Sequence, residues 1–278
     1  VPELPEVETV ARQLAPLLVG RTVKRLEILD TKLLNVSRPG RVRALSIADV
    51  RRLGKWITIS LKGGKDLWIA VHLRMTGRLI FADGRAEKGA TKNDSQQEDK
   101  HLRARLLLDQ GELLFTDVRR FGEVRLLNDL AAITPKAIDP MSADFQPKRL
   151  AELLGKSKQE LKAWLLRQDR LVGLGNIYAS EILYRARLSP FRPAGELTTK
   201  EVGQLVKATR QILVKAVENC GTTFSDFQTA HGSIGSYQRF LKVYGREGQP
   251  CRRCSASVKR HNQQGRSTFY CEDCQNVD

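Results

Sequence analysis

Residues 168–181 read QDRLVGLGNIYASE, and the organisation of the second half of the chain turns on them. Gly173 and Gly175 flank Leu174 in a short apolar turn; Asn176 then opens a run with Ile177, Ile182 and Leu183 at helical spacing. Two helices joined by such a turn make a helix-turn-helix variant. The second helix would point unpaired N–H groups outward beside the Asn176 amide, an arrangement that suits a phosphate. A plain helical hairpin with Asn176 as N-cap fits the same spacing.

Outward from this turn the apolar period stays helical. Arg149–Leu154, Lys158–Gln168, Ile177–Ala186 and Thr199–Asn219 are the predicted helices, the last with Val202, Leu205, Val206, Ile212, Leu213 and Ala216 on one broad face. Residues 131–147 (AAITPKAIDPMSADFQP) carry three prolines and break the pattern, which sets a domain boundary there. Upstream, a helix over 5–18 with Val7, Val10, Leu14 and Leu17 on one side precedes strand-like runs. These are Val23–Leu29, Trp56–Leu61, Leu67–Leu73, Leu102–Leu108, Glu112–Thr116 and Glu123–Leu127. Ile57, Ile59 and Leu61 share one face, as in a half-buried strand, so two packed antiparallel sheets are expected. The polar stretch 83–100 reads as a loop between strands.

Four of the five cysteines lie in the last 28 residues, as Cys251-x-x-Cys254 and Cys271-x-x-Cys274. Two such knuckles suit one tetrahedral Zn²⁺ held by four thiolates, with no open position for a catalytic water, so the metal is expected to be structural. The segment they staple carries Arg252, Arg253, Lys259, Arg260 and Arg266 and can present positive charge to a phosphate backbone. His261 is not needed as a ligand, and Cys220 reads as a buried structural thiol.

Charge points the same way. Lys and Arg outnumber Asp and Glu 47 to 31 in 278 residues, for a net charge of +16 and a pI near 9.9. An excess this large favours a polyanionic partner, nucleic acid before an anionic membrane. With 41% hydrophobic residues a packed core is feasible. No apolar run approaches the roughly 18 residues of a membrane span. The start Val1-Pro2-Glu3-Leu4-Pro5-Glu6 has two acids and no basic segment, unlike a signal peptide. A cytoplasmic protein is expected.

Ordinary helix capping accounts for Pro5, Glu6 and Glu8 but leaves Pro2-Glu3 unexplained. A terminal proline offers a secondary amine. With an α-amino pKa of about 7.8, roughly a third is free base near pH 7.5, against roughly 0.1% for a lysine at about 10.4. Its adduct with a sugar C1′ is an iminium, which acidifies C2′ and lets the 3′ phosphate leave. A carboxylate one residue away could move the protons. The proline must be terminal for this. A retained Val1 would leave an amide nitrogen, so Val1 is expected to stand for a start codon read literally and removed as methionine, an engineered or unprocessed terminus being the alternative.

PELPEVETV at Pro2–Val10, the GxGNIYxxE turn at Gly173–Glu181 and the four-cysteine end together resemble the formamidopyrimidine-DNA glycosylase family, bacterial enzymes for oxidised purines. The resemblance runs from Pro2 to about Cys274. The PELPE start favours this family over its sister, endonuclease VIII, which prefers oxidised pyrimidines.

The resemblance implies an α+β multidomain chain: an N-terminal β-sandwich with flanking helices (1–130), a linker (131–147), a helical domain with a helix-two-turn-helix (148–240) and a zinc β-hairpin (241–278). Duplex DNA with oxidised bases or abasic sites would lie in a basic cleft, bound by a monomer. Pro2 is implied as the Schiff-base nucleophile, Glu3 as its acid–base partner and Glu6 as a further carboxylate. Lys55 matches a strand lysine that binds phosphate beside the lesion. Met75 matches the residue that fills the gap left by the flipped nucleotide, Arg119 the one facing the orphaned cytosine, and Phe121 the wedge. His101, Arg120, Asn176 and Arg266 complete the DNA-binding set, Arg120 as a phosphate or structural neighbour. Two positions depart from the family pattern, the first of them in the loop that bears on lesion choice. Ser225 stands in the lesion-covering loop where a basic residue is common, and Arg103 stands where some members carry histidine. The rivals are a non-catalytic damage binder, a pyrimidine-preferring relative and a ribbon-type transcription factor.

Overall fold

The computed structural model describes residues 2–30, 34–35, 39–63, 66–83, 100–222, 230 and 235–276. Val1, most of the polar stretch 83–100 and the Ser225-Asp226-Phe227 segment lie outside the described residues. The chain divides into two compact units, Val1–Thr134 with Asn219–Ser236, and Pro135–Glu218 with Tyr237–Asp278. Residues 219–236 thus group with the first unit, although the sequence reading includes them in the helical stretch 148–240.

The first unit opens with α1 (Leu4–Leu18), whose Val7, Val10, Ala11, Leu14 and Leu18 fall on one buried face. Among the described residues nine strands follow: β1 (Val23–Ile28), β2 (Leu34–Asn35), β3 (Ser46–Leu53), β4 (Trp56–Lys62), β5 (Leu67–His72), β6 (Gly77–Ala82), β7 (Leu102–Leu108), β8 (Glu112–Asp117) and β9 (Glu123–Leu127). They form a four-stranded sheet, β1-β7-β8-β6, and a five-stranded sheet, β2-β9-β5-β4-β3. Every pairing is antiparallel except β2 with β9. Along β7 the residues alternate strictly between buried and half-buried, the mark of a strand with one face in the core. Ile57 and Ile59 from one sheet, Leu106 and Phe115 from the other, and Val7 and Leu14 from α1 share one hydrophobic cluster. Each such side chain contributes about 1.5–3 kcal/mol when fully buried. The unit is a β-sandwich with its helix laid on β3 and β4.

Three strands escape the sequence reading, and β2, at two residues, is too short to show a period. In β3 the register shifts between Ile47 and Asp49, so the buried Ile47 and Val50 stand three apart and the alternation is lost. In β6 only Gly77 and Leu79 are buried, too few to show a period.

The second unit contains α2 (Pro147–Leu154), α3 (Leu161–Leu165), α4 (Asn176–Ala186) and α5 (Thr199–Glu218). A hairpin of β10 (Lys259–Gln263) and β11 (Arg266–Tyr270) and the short α6 (Glu272–Gln275) follow. Phe145, Trp164, Tyr178, Leu205 and Leu213 centre its core. The helix expected over Lys158–Gln168 is only Leu161–Leu165. The amides of Leu161 and Lys162 donate to the carbonyls of Arg192 and Pro190 at 2.8 and 3.1 Å, which removes the preceding turn. No described helix is long and apolar enough to cross a membrane.

Candidate active site and nucleic-acid interface

In the first unit, Pro2, Glu3 and Glu6 are all buried, Glu3 at 4% and Glu6 at 1% exposure. Their arrangement is a capping box: Glu3 caps α1, and its N–H donates to Glu6 Oε2 at 2.8 Å. The other Glu6 oxygen accepts from the N–H and hydroxyl of Thr222 at 2.8 and 2.9 Å. Glu6 is therefore fixed from two sides, and the Pro2–Glu3 backbone is fixed through it. Gly221, at φ +72°, allows this approach, since a Cβ there would lie 2.8 Å from Glu6 Oε1. Gly221→Ala is expected to lower stability by about 1–3 kcal/mol, read as a lower urea midpoint, and to release Thr222 from Glu6. An unchanged midpoint would count against this packing. Glu8 serves structure: burial alone would raise its carboxyl, but hydrogen bonds and charge from Arg12 and Arg52 hold it below the usual range.

Lys55 stands in the two-residue turn between β3 and β4, not on a strand as the resemblance implied. Gly54 precedes it at φ +61°, the backbone a tight hairpin needs at that point. Its electrostatic neighbour His72 is pushed down to about 4, by burial first and then by Arg74, with Lys55 adding to the effect. The imidazole is thus neutral at ordinary pH, and its Nδ1 accepts from the Arg74 amide at 3.1 Å.

Met75 sits half-buried in the turn between β5 and β6, and Arg119, Arg120 and Phe121 sit exposed in the turn between β8 and β9. Phe121 is 52% exposed with the Arg119 guanidinium over its ring at 4.9 Å, so both present an open stacking surface. Arg120 is bound to Asp30 through two bonds of 2.7 and 2.8 Å, the structural alternative for this residue. His101 lies beside Arg103 at 3.4 Å, and Arg103 donates to the Asp117 carbonyl at 3.0 Å.

The residue that joins the Met75 and Arg119–Phe121 turns was not singled out from the sequence. Asp117 is fully buried; one carboxylate oxygen accepts from Thr76 Oγ1 and the Arg119 amide, the other from the Phe121 and Gly122 amides at 2.8 and 2.7 Å. Gly77 lets the first turn close, because a Cβ there would stand 2.5 Å from the Leu73 carbonyl oxygen. Asp117→Ala takes the carboxylate from four donors and orphans three of them, since the Arg119 amide also donates to Thr76 Oγ1 at 3.1 Å. The expected loss is about 3–5 kcal/mol in urea. A variant as stable as the parent would rule out this joint.

In the second unit, Gly175 is the N-cap of α4 and Asn176 its first residue, which sets aside the N-cap reading of Asn176. Asn176 Oδ1 accepts from Lys162 Nζ at 2.6 Å, and its Nδ2 donates to the Ser267 carbonyl at 2.8 Å. Lys162, 1% exposed, also donates to the Ser267 carbonyl and Thr268 Oγ1. One buried ammonium thus ties the start of α4 to β11, and its partners are too distant in sequence for spacing to reveal. Gln168 closes the glycine turn, accepting from the Gly173 amide at 2.9 Å and donating to the Leu174 carbonyl at 2.8 Å. Arg266 is exposed just after Gln264-Gly265, both at positive φ, the two-residue turn of a tight hairpin.

The sulfurs of Cys251, Cys254, Cys271 and Cys274 all lie within 4.8 Å of one another. Cys251–Cys274 and Cys254–Cys271 are 3.9 and 3.4 Å apart, near the ~3.8 Å edge of a tetrahedron with 2.3 Å zinc–sulfur bonds. The Arg253 amide points at Cys251 Sγ at 3.4 Å. The donor set and spacing fit zinc. His261 packs edge-on against Phe191 at 5.3 Å and is outside the cluster. Cys220 is half-buried, at 3.7 Å from Gln13 Nε2, not fully buried as expected.

Comparison with known proteins agrees with this layout from end to end. Residues 1–124 match the formamidopyrimidine-DNA glycosylase N-terminal domain, 137–228 its H2TH domain and 248–277 the zinc finger found in FPG and IleRS. The chain belongs to the formamidopyrimidine-DNA glycosylase family. The family member from Carboxydothermus hydrogenoformans is 42% identical over 99% of this chain and 100% of its own. The MutM (Fpg) protein of Thermus thermophilus superposes with a TM-score of 0.84 at 37% identity, covering 100% of both chains. A Lactococcus lactis Fpg variant in complex with a Fapy-dG-containing DNA gives 0.85 at 30% identity, covering 99% of this chain and 100% of that one. As in this family, the four cysteines form the site of one structural zinc ion.

Proposed function

We propose that this chain is a bifunctional DNA glycosylase and abasic-site lyase that removes oxidised purines, 8-oxoguanine and formamidopyrimidines, from duplex DNA. The observation that carries the reading is the buried Pro2–Glu3–Glu6 box at the start of a chain in this family. The Pro2 nitrogen attacks C1′ as a free secondary amine, and the base leaves with a proton from Glu3. Opening of the sugar ring at C1′–O4′, with the proton going to O4′, gives an iminium that withdraws electrons from C2′, which loses a proton as the 3′ phosphate departs. A second elimination releases the 5′ phosphate and leaves a one-nucleotide gap with a phosphate at each end. Glu6 holds the backbone of the nucleophile in register. No organic cofactor is needed, because the iminium is the electron sink.

Lys55 steadies a phosphate beside the lesion. Met75, Arg119 and Phe121 occupy the space the extruded nucleotide leaves, with Asp117 aligning the two turns that carry them. His101, Asn176 and Arg266 hold the backbone, Asn176 with the N–H that Ser267 leaves open, and Arg120 reinforces its turn through Asp30. The protein acts as a cytoplasmic monomer. With about six phosphate contacts, log K is expected to fall with log salt at a slope of about −5; a salt-insensitive complex would overturn the phosphate-held interface. Reduction with borohydride on an abasic-site duplex is the direct test, and a lasting protein–DNA adduct is the expected product.

A further inference from the structure

In the second unit a cavity of about 220 Å³ opens among the end of α4, the later turns of α5 and the first cysteine knuckle. Tyr237 lines it. This side chain is 1% exposed and its ring packs on Tyr178 and Phe240 at 5.8 and 5.9 Å. Among the described residues none is recorded in a hydrogen bond with its hydroxyl, which opens onto the cavity as an available donor. Burial, and then the nearby Glu181 carboxylate, raise the phenol and keep its proton in place.

The rest of the wall is cationic, from Arg185, Lys215, Lys242, Arg252 and Arg253. Lys215 Nζ lies over the Phe240 ring at 4.2 Å and the Arg253 guanidinium over Tyr184 at 4.4 Å, contacts that hold both side chains at the cavity wall. Burial pushes Lys242 down, and the like charges of Arg252 and Lys215 push it further. The acid on this wall, Glu181, is 1% exposed and accepts from the amides of Lys242, Val243 and Tyr244 at 2.9–3.0 Å. Its charge is consumed by the backbone. The zinc–thiolate cluster behind Arg252 and Arg253 is net negative, yet five cations still outweigh it and Glu181 together.

We propose that this cavity binds a phosphate dianion, free or as a terminal monoester, with the Tyr237 hydroxyl donating to one oxygen and Lys215, Lys242 and Arg252 paired with the others. A tetrahedral oxyanion supplies an acceptor for Tyr237 and matches the cationic rim in charge. The site is separate from the excision machinery: Tyr184 and Arg185 lie eight or more residues along α4 from Asn176, about 12 Å at 1.5 Å per residue. It does not depend on the glycosylase reading.

The test is calorimetric titration of the zinc-loaded full chain with inorganic phosphate at fixed ionic strength, repeated with a deoxynucleoside 5′-monophosphate. One saturable site at millimolar phosphate is expected. Tyr237→Phe keeps the packed ring and removes only the donor, and should weaken binding about tenfold or more. Lys215→Gln, at an exposed position, should weaken it severalfold. Monophosphate binding that competes with phosphate assigns the monoester form, and phosphate binding alone assigns the free ion. Absence of saturable binding, or unchanged affinity in both variants, overturns the site. Excision by both variants should match the parent, which separates failure here from failure of the catalytic reading.

Discussion

Protein whose chain starts at Pro2 is expected to form a covalent adduct with an abasic-site duplex under borohydride, and protein that retains Val1 to form none. The contrast is one of nitrogen chemistry. In the first form the proline nitrogen is an amine with a usable free-base fraction near neutral pH. In the second its lone pair is delocalised into a peptide bond and unavailable to C1′. We expect adduct formation to fall by at least ~10³-fold, with intact mass used to assign the terminus of each preparation. Equal trapping in the two forms would rule Pro2 out. Glu3→Gln offers a sharper division. On a lesion duplex the departing base needs its proton, and loss of a general acid slows release by about 10²–10⁴-fold. On a preformed abasic site no base departs, so trapping by the same variant should persist. A variant equally impaired on both substrates would place Glu3 in folding or in imine formation instead.

Removal of zinc is expected to have the other large effect, and to reach beyond the hairpin. The small cluster that supports the knuckles contains Tyr184, Val243 and Val258 with Cys251 and Cys271, too little apolar surface to hold the segment alone. Metal binding at comparable four-ligand sites is worth about 10–16 kcal/mol. When the hairpin unfolds, Ser267 and Thr268 leave the Lys162 ammonium, and Asn176 loses its carbonyl partner. A buried charge is then stripped of two acceptors at the start of α4. Chelated protein should therefore bind duplex DNA at least about a hundredfold more weakly, ~2.7 kcal/mol, by fluorescence anisotropy. Cys254→Ser should behave alike, and zinc should be released more readily as pH falls, since protons compete for the thiolates. Metal-free protein with parental affinity would show that the hairpin is dispensable for binding.

What could be read in advance depended on how far apart the interacting residues lie. The zinc knuckles and the α4 start are local, and spacing alone exposes them. Strands with one buried face, such as β7, declare themselves by alternation. The bulged β3 does not, because the shift at Ile47–Asp49 erases the period that identifies a strand. The helix expected over 158–168 was cut short by carbonyls nearly thirty residues away. Asp117 and Lys162 are the clearest omissions. Each looks like an ordinary solvated charge in the sequence. Asp117 draws on a second turn forty-one residues upstream through Thr76, and Lys162 reaches Thr268 across 106 positions. Long-range closure of this kind leaves no periodic trace.

The return of residues 219–236 to the first unit has a consequence for synthesis on the ribosome. The sandwich strands end at Leu127, but the donors that seat Glu6 come from Thr222. A nascent chain can thus pair its sheets early while the α1 terminus waits, with one Glu6 oxygen served by water until α5 has emerged. The Pro2–Glu3 backbone is thus fully seated only after Pro135–Glu218 of the second unit has been translated.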